Sequence, residues 1–214
     1  MLHTERTYLP AAGHDWFLPL YDPLTRLLGV DRARTALVEQ AAIQPHHRVL
    51  DIGCGTGALA LLTARARPGA DIVGLDPDPK ALARARKKAA RAGVSIRFDR
   101  GFADALPYPD ASFDRVVSSM MLHHLEAGTK GKALAEMHRV LKPGGRLELL
   151  DFAGPDDEGQ GGLGRLFHSH HRLADNGERR VLALLNEAGF ASARTMDRRR
   201  MLFGRVALYQ ASRT

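Results

Sequence analysis

At 214 residues the chain can bury one substantial core without needing a second domain, and a hydrophobic share of 44% with a charged share of 26% excludes disordered, collagenous and coiled-coil classes. A formal charge of +7 raises the question of a nucleic-acid surface, but the densest basic run, "RARKKAARAG" from Arg84 to Gly93, reads as the solvated face of one helix and holds no aromatic side chain to stack on a base. No apolar run approaches the roughly 20 residues of a membrane span, the first residues lack a secretory pattern, and a single cysteine, Cys54, excludes a disulfide framework and a multi-cysteine metal site, so a cytoplasmic protein without membrane insertion or metal is expected.

Residues 1–44, with Trp16, Phe17, Tyr21 and the pattern "PLTRLLG", read as a helical N-terminal lid ahead of a sheet. The sheet begins at "HRVLDIG", where Val49, Leu50 and Ile52 form the short apolar run of a strand buried on both faces. "ALALLTARA", from Ala58, is a helix stopped by Pro68 and Gly69. "ADIVGLD" is a second buried strand, followed by a helix with Asp78 as N-cap, Pro79 in its first turn and Gly93 as its stop. "VSIRFDRG" and "SFDRVVSSM" are the third and fourth strands, separated by the polar loop "ADALPYPDA". A helix through "KALAEMHRVL" ends at "KPGG", which turns into a fifth strand, "RLELLDF".

Residues 153–177 are too Gly-rich and too long for an ordinary connection and read as a substrate-side insertion. Residues 178–214 supply the helix "ERRVLALLNEAGF" and two strands around Gly204 that form an edge hairpin. Alternation of strand and helix implies parallel pairing with right-handed crossovers. The expected fold is α/β: a single-domain, three-layer sandwich, Rossmann-like, with a seven-stranded, mostly parallel sheet closed by a C-terminal antiparallel hairpin, and with 45–152 as its cofactor-binding core.

In "VLDIGCGTG" the glycines Gly53, Gly55 and Gly57 follow the first strand, where residues without Cβ let the backbone turn tightly and approach a ligand. Gly53, Gly55 and Ala58 also satisfy the spacing of a dinucleotide loop, so a NAD-type oxidoreductase stays open on the glycines alone. The acids weigh against it. Asp51 stands two residues before the first glycine, where a fixed negative charge suits an ammonium or sulfonium rather than a diphosphate. Asp76 closes the second strand and can accept both hydroxyls of a ribose, and Asp104 can accept from an exocyclic amine. Acids at three strand ends describe a phosphate-free adenosine with a cationic tail.

Through "VLDIGCGTG", "GLDPDP", "ADALPYPDASFDRVVSSMMLHHL" and "LKPGGRLELLDF", in that order, the chain resembles the class I S-adenosylmethionine-dependent methyltransferases, and within them the UbiE-like, or type 11, group. That resemblance implies S-adenosylmethionine as cofactor and S-adenosylhomocysteine as product. It implies that Asp51 and the segment Gly53, Cys54, Gly55 and Gly57 line the methionine part, Asp76 and Pro77 the ribose, and Phe102, Ala103, Asp104 and Ala105 the adenine. Ser118, Ser119 and His123 would face the sulfonium and the incoming acceptor, with Tyr21 as a lid contact. Cys54 reads as a packing residue rather than a nucleophile.

Methyl transfer from a sulfonium needs alignment, exclusion of water and, for an acidic acceptor, a base. His123, His124 and His168 are the candidates, with His170 and His171 beside His168 in the insertion. The stretch after strand four, "SSMMLH", lacks the Asn/Asp-Pro-Pro-aromatic signature of methyltransferases acting on amino groups, and the lone cysteine departs from the multi-thiol arsenite methyltransferases. A small-molecule acceptor is therefore expected. RNA or protein methylation and non-catalytic cofactor binding remain as alternatives, and the oligomeric state, a homodimer included, stays open.

Overall fold

The computed structural model describes residues 29–154, 176–201 and 204–214. The helix α1 (Val30–Gln40) precedes β1 (Arg48–Ile52), α2 (Ala58–Ala66), β2 (Asp71–Asp76), α3 (Pro79–Ala92), β3 (Arg97–Arg100) and β4 (Phe113–Ser119). A short 3-10 turn at Leu122–His124 leads into α4 (Ala127–Val140), β5 (Leu141–Phe152), α5 (Glu178–Glu187), β6 (Ala191–Met201) and β7 (Gly204–Ser212). Seven strands form one sheet in the order β3-β2-β1-β4-β5-β7-β6. β1 to β5 pair in parallel, and β7 runs antiparallel between β5 and β6. The strand order reverses between β1 and β4, which is the point where an open α/β sheet leaves a crevice at its carboxyl edge.

Strand side chains alternate between the two faces, and this sorts the core into two layers. Leu50, Ile52, Val116, Leu147, Leu149 and Tyr209 pack with Leu134 and Met137 of α4 and Val181 and Leu185 of α5. Val49, Ile72, Val117, Leu150 and Leu208 pack on the other side with Leu37 of α1, Leu59 of α2 and Leu82 and Ala85 of α3. The expected three-layer, mostly parallel fold with an antiparallel C-terminal hairpin is thus the observed one. β6 forms an outer edge and exposes Arg194, Arg198 and Arg200 along it, charges that discourage further strand pairing.

Local signals hold at α3. The Asp78 side chain accepts from the backbone N–H of Lys80 at 2.8 Å, Pro79 opens the helix, and Gly93 ends it at φ 65°. Replacing Asp78 by alanine removes that acceptor and is expected to cost about 1 kcal/mol of stability, measurable by chemical denaturation. At α1 the closing signal comes from elsewhere in the fold, since the Ala41 carbonyl accepts from Arg115 Nε and Arg146 Nη2, each at 2.8 Å.

The "KPGG" stretch behaves differently from expectation. The helix begins earlier, at Ala127, and β5 starts directly at Leu141, so Lys142–Gly145 belong to the strand as an irregularity in its register with β4. The reason is the chain's C-terminal end: Gly144 N–H donates to Arg213 O at 2.8 Å and Arg213 N–H to Gly145 O at 2.9 Å, which extends the ladder through the glycines. β3 is also shorter than "VSIRFDRG" suggested, running only over Arg97–Arg100. Most of the expected N-terminal lid and of the substrate-side insertion lies outside the described residues.

Candidate active site

The loop after β1 is held by its neighbour strand. Gly53 and Cys54 both donate their N–H groups to Leu75 O, at 2.8 and 3.0 Å. Gly53 has φ 69°, and a Cβ there would stand 2.2 Å from Met121 Cγ, so only glycine lets the β4 turn close over the loop. Gly57 enters α2 at φ 79° without a side-chain cap of its own. Asp51 provides one from the strand below, accepting the N–H of Ala60 in the first turn of α2. The Cys54 thiol packs among apolar side chains, and burial pushes its pKa well up, which fits the packing role and not a nucleophile.

Asp51 is 1% exposed, and among the described residues its Oδ2 has no hydrogen-bond partner. Burial raises its pKa to about 7, opposed by Arg34 and the Ala60 N–H and aided by the nearby Asp76 charge. Asp76 closes β2 and ties two loops together: Oδ2 accepts from Gly55 N–H at 2.8 Å and Oδ1 from Asp78 N–H at 2.9 Å. Burial lifts it to about 6 against those two hydrogen bonds. Each of its oxygens keeps a second lone pair for a ligand hydroxyl.

Phe102, Ala103, Asp104 and Ala105 form a tight turn after β3, closed by the Ala105 N–H to Phe102 O bond at 3.2 Å. The following segment is fastened by Glu136, which accepts Leu106 N–H at 2.8 Å, and by Arg139, which reaches Leu106 O, Tyr108 O and Asp110. Pro77, half-buried, offers its carbonyl to Arg100 Nε at 3.2 Å.

At the end of β4 the two serines act as struts. Ser118 is wholly buried and its hydroxyl donates to Ile52 O at 2.8 Å; the Ser119 hydroxyl accepts from Arg34 Nε at 3.3 Å. Met120 then takes φ 60°, a left-handed conformation that costs a non-glycine residue energy and aims the turn across the sheet edge. His123 follows, 6% exposed, with Nδ1 2.7 Å from Asp151 Oδ1. The His124 ring lies tilted against that of His123 at 4.1 Å between centroids, and Phe152 meets the same ring edge-on at 4.7 Å.

Asp151, at the carboxyl end of β5, has no exposed surface. Its Oδ2 accepts from Leu122 N–H at 2.7 Å, and Oδ1 accepts also from Phe152 N–H at 2.7 Å and from Asn176 Nδ2 at 3.2 Å. Burial alone would raise this carboxyl; the His123 ring, the Phe152 N–H and His124 outweigh it and hold the acid below its ordinary value. A carboxylate here makes Nδ1 the protonated nitrogen of neutral His123 and leaves the lone pair on Nε2, the tautomer a general base needs.

The structure therefore brings Asp51, the glycine loop, Asp76, the Phe102–Ala105 turn and His123 to one edge of the sheet. Tyr21, His168, His170 and His171 lie outside the described residues, as do Trp16 and Phe17. Asp151, Arg34 and Met121 were not singled out from sequence. Asp151 could have been, because it ends β5 as Asp51 and Asp76 end their strands; Arg34 and Met121 carry no local signal. A buried, partnerless carboxylate oxygen beside backbone N–H groups fits a cationic amino-acid tail and does not fit a diphosphate.

Residues 49–145 match a family model described as a methyltransferase domain. The chain is 45% identical over 155 residues to the demethylmenaquinone methyltransferase of Deinococcus radiodurans, covering 71% of this chain and 64% of that protein. It is 38% identical over 143 residues to the ubiquinone/menaquinone biosynthesis C-methyltransferase UbiE of Geobacter sp. (strain M21), covering 64% of this chain and 60% of that protein. The chain thus spans less than two thirds of the length of these curated relatives. Among solved structures, the [4+2]-cyclase SpnF superposes with a TM-score of 0.71 at 23% identity, covering 86% of this chain and 80% of that one. That likeness concerns the fold, since the neighbour is named for a cyclisation. No described helix is long and apolar enough to cross a membrane.

Proposed function

We propose that the chain is a class I S-adenosylmethionine-dependent methyltransferase of the UbiE-like group that transfers a methyl group to a ring carbon of a small quinol. The reading rests above all on the His123–Asp151 pair, 2.7 Å apart and joined through Met121 to the glycine loop. The relatives named for demethylmenaquinone and for C-methylation support the acceptor class.

S-adenosylmethionine supplies a methyl group already activated on a sulfonium. Asp51 would hold its ammonium, Asp76 its ribose hydroxyls, and the Phe102–Ala105 turn its base. His123 Nε2 takes the proton of a quinol hydroxyl, and the resulting phenolate makes the adjacent ring carbon nucleophilic. The nucleophilic ring carbon would be held in line with that methyl and would accept it, with S-adenosylhomocysteine as the departing thioether. The ring then loses its C–H proton and the oxygen regains one, so one proton leaves overall. Asp151 keeps His123 in the tautomer that accepts and returns a proton. The same reading keeps the chain in the cytoplasm, with Cys54 as a reduced thiol.

Calorimetric titration with S-adenosylmethionine and S-adenosylhomocysteine should show binding of both. Release of the latter should then follow addition of a demethylated quinol, and not of RNA or a protein substrate. Cofactor binding without turnover on any quinol would instead favour a cofactor-sensing protein, and methyl incorporation into RNA would move the acceptor class.

A further inference from the structure

Behind the His123–Asp151 pair sits a second, deeper layer. Lys130 of α4 has no exposed surface, although its side chain ends in an ammonium. Its Nζ donates to Asn176 Oδ1 at 3.1 Å. Asn176, also without exposed surface, donates Nδ2 to Asp151 Oδ1 at 3.2 Å and to Phe152 O at 2.7 Å. The chain of contacts Lys130, Asn176, Asp151, His123 runs through α4, the residue before α5, β5 and the 3-10 turn. Lys142, on the surface of the same sheet, shows where a lysine ordinarily sits, with its head on the half-exposed Asp114.

A buried ammonium is costly unless anions compensate it, and among the described residues Asp151 is a buried carboxylate that this amide connects to it. The Asn176 side chain transmits polarity in one direction only. Its carbonyl accepts the lysine's hydrogen bond, which draws electron density from the amide and strengthens the N–H donated to Asp151. Asp151 is thereby kept as an anion and fixed in rotation. The same cation opposes a second positive charge on His123. A lone buried carboxylate would pull His123 toward its protonated form, in which no lone pair is left to act as a base.

We propose that Lys130 and Asn176 are positioning residues for His123: the buried ammonium, acting through the Asn176 amide, holds Asp151 ionised and oriented on Nδ1 while keeping the imidazole neutral and ready to accept a proton at Nε2. Among the described residues, the charged and titratable groups around the dyad include Asp151 on β5, His124 on the 3-10 turn and Lys130 on α4. The inference builds on the base assigned to His123 above, but its readout needs neither cofactor nor acceptor.

The test follows the His123 ring proton signal by NMR across pH, identified by its disappearance in His123→Gln. In Lys130→Met, which keeps length and apolar volume, the His123 titration should move upward by about one pH unit. Asn176→Ser, which cuts the connection while leaving Lys130 in place, should move it the same way by less. In the wild-type protein the Lys130 Nζ resonance should be that of a protonated, slowly exchanging ammonium at pH 7, a measurement that stands even where a variant does not fold. A neutral Lys130, or folded variants with an unmoved His123 titration, would overturn the proposal. A shifted titration in a protein that methylates no acceptor would leave the inference standing and remove the proposed function instead.

Discussion

Replacing His123 by glutamine is expected to leave cofactor affinity within a few-fold of wild type and to reduce methyl transfer by roughly 10²–10⁴-fold, the range a positioned general base contributes. Glutamine retains polarity and approximate size but has no lone pair of suitable basicity. The measurement is release of S-adenosylhomocysteine under saturating cofactor, together with the pH profile, which should lose its acid limb in the variant. Asp151→Asn should lose comparable activity for a second reason. Oδ1 and Oδ2 of Asp151 accept from His123, Phe152, Asn176 and Leu122, so an amide places donors against donors and forfeits about 1–3 kcal/mol of stability as well. A His123→Gln enzyme with full activity would remove His123 from the chemistry.

The cofactor affinity itself should depend on pH, and the direction follows from Asp51 and Asp76. Burial holds Asp51 at about 7 and Asp76 at about 6. A bound ammonium stabilises the ionised forms, so binding expels protons at low pH and weakens there. Between pH 8 and pH 5.5 the dissociation constant of S-adenosylmethionine should rise on the order of tenfold or more. S-adenosylhomocysteine, which shares the ammonium but not the sulfonium, should follow the same slope if Asp51 holds the ammonium, and a shallower one if it answers the sulfur. Asp51→Asn should abolish the larger part of this dependence and weaken binding at pH 8 by about 10–100-fold, the worth of a charged hydrogen bond.

The effect of Asp51 on stability runs the other way. Its folded pKa lies above the ordinary carboxylate value, so the folded state binds the proton more tightly and stability is lost as pH rises through about 7. At pH 8 the empty Asp51→Asn protein should therefore melt no lower than wild type. A variant that binds poorly yet is fully stable separates a ligand-facing acid from a structural one. A large drop in melting temperature would assign Asp51 to the fold.

Local chemistry was legible where it is self-contained. The cap at Asp78, the stop at Gly93, the buried strands of β1 and β2 and the glycine loop all depend on residues a few positions apart, and each stands as the sequence suggested. Asp51 and Asp76 could be found because a strand end in a parallel sheet has a known edge to face. The "KPGG" stretch could not be read correctly, because its ladder partner is Arg213 at the far end of the chain. The serines that end β4 show the same limit: no local signal reports the distant partners their hydroxyls meet, Ile52 and Arg34.

What the sequence by itself determined is the α/β architecture and the glycine loop after β1, since hydrophobic periodicity and glycine conformations act over one strand or one turn. Only the tertiary structure decided which histidine has a carboxylate behind it. Alternation along β5 sends Asp151 to the α4 side of the sheet and alternation along β1 sends Asp51 to the other, and no local pattern reports which buried lysine or asparagine waits there.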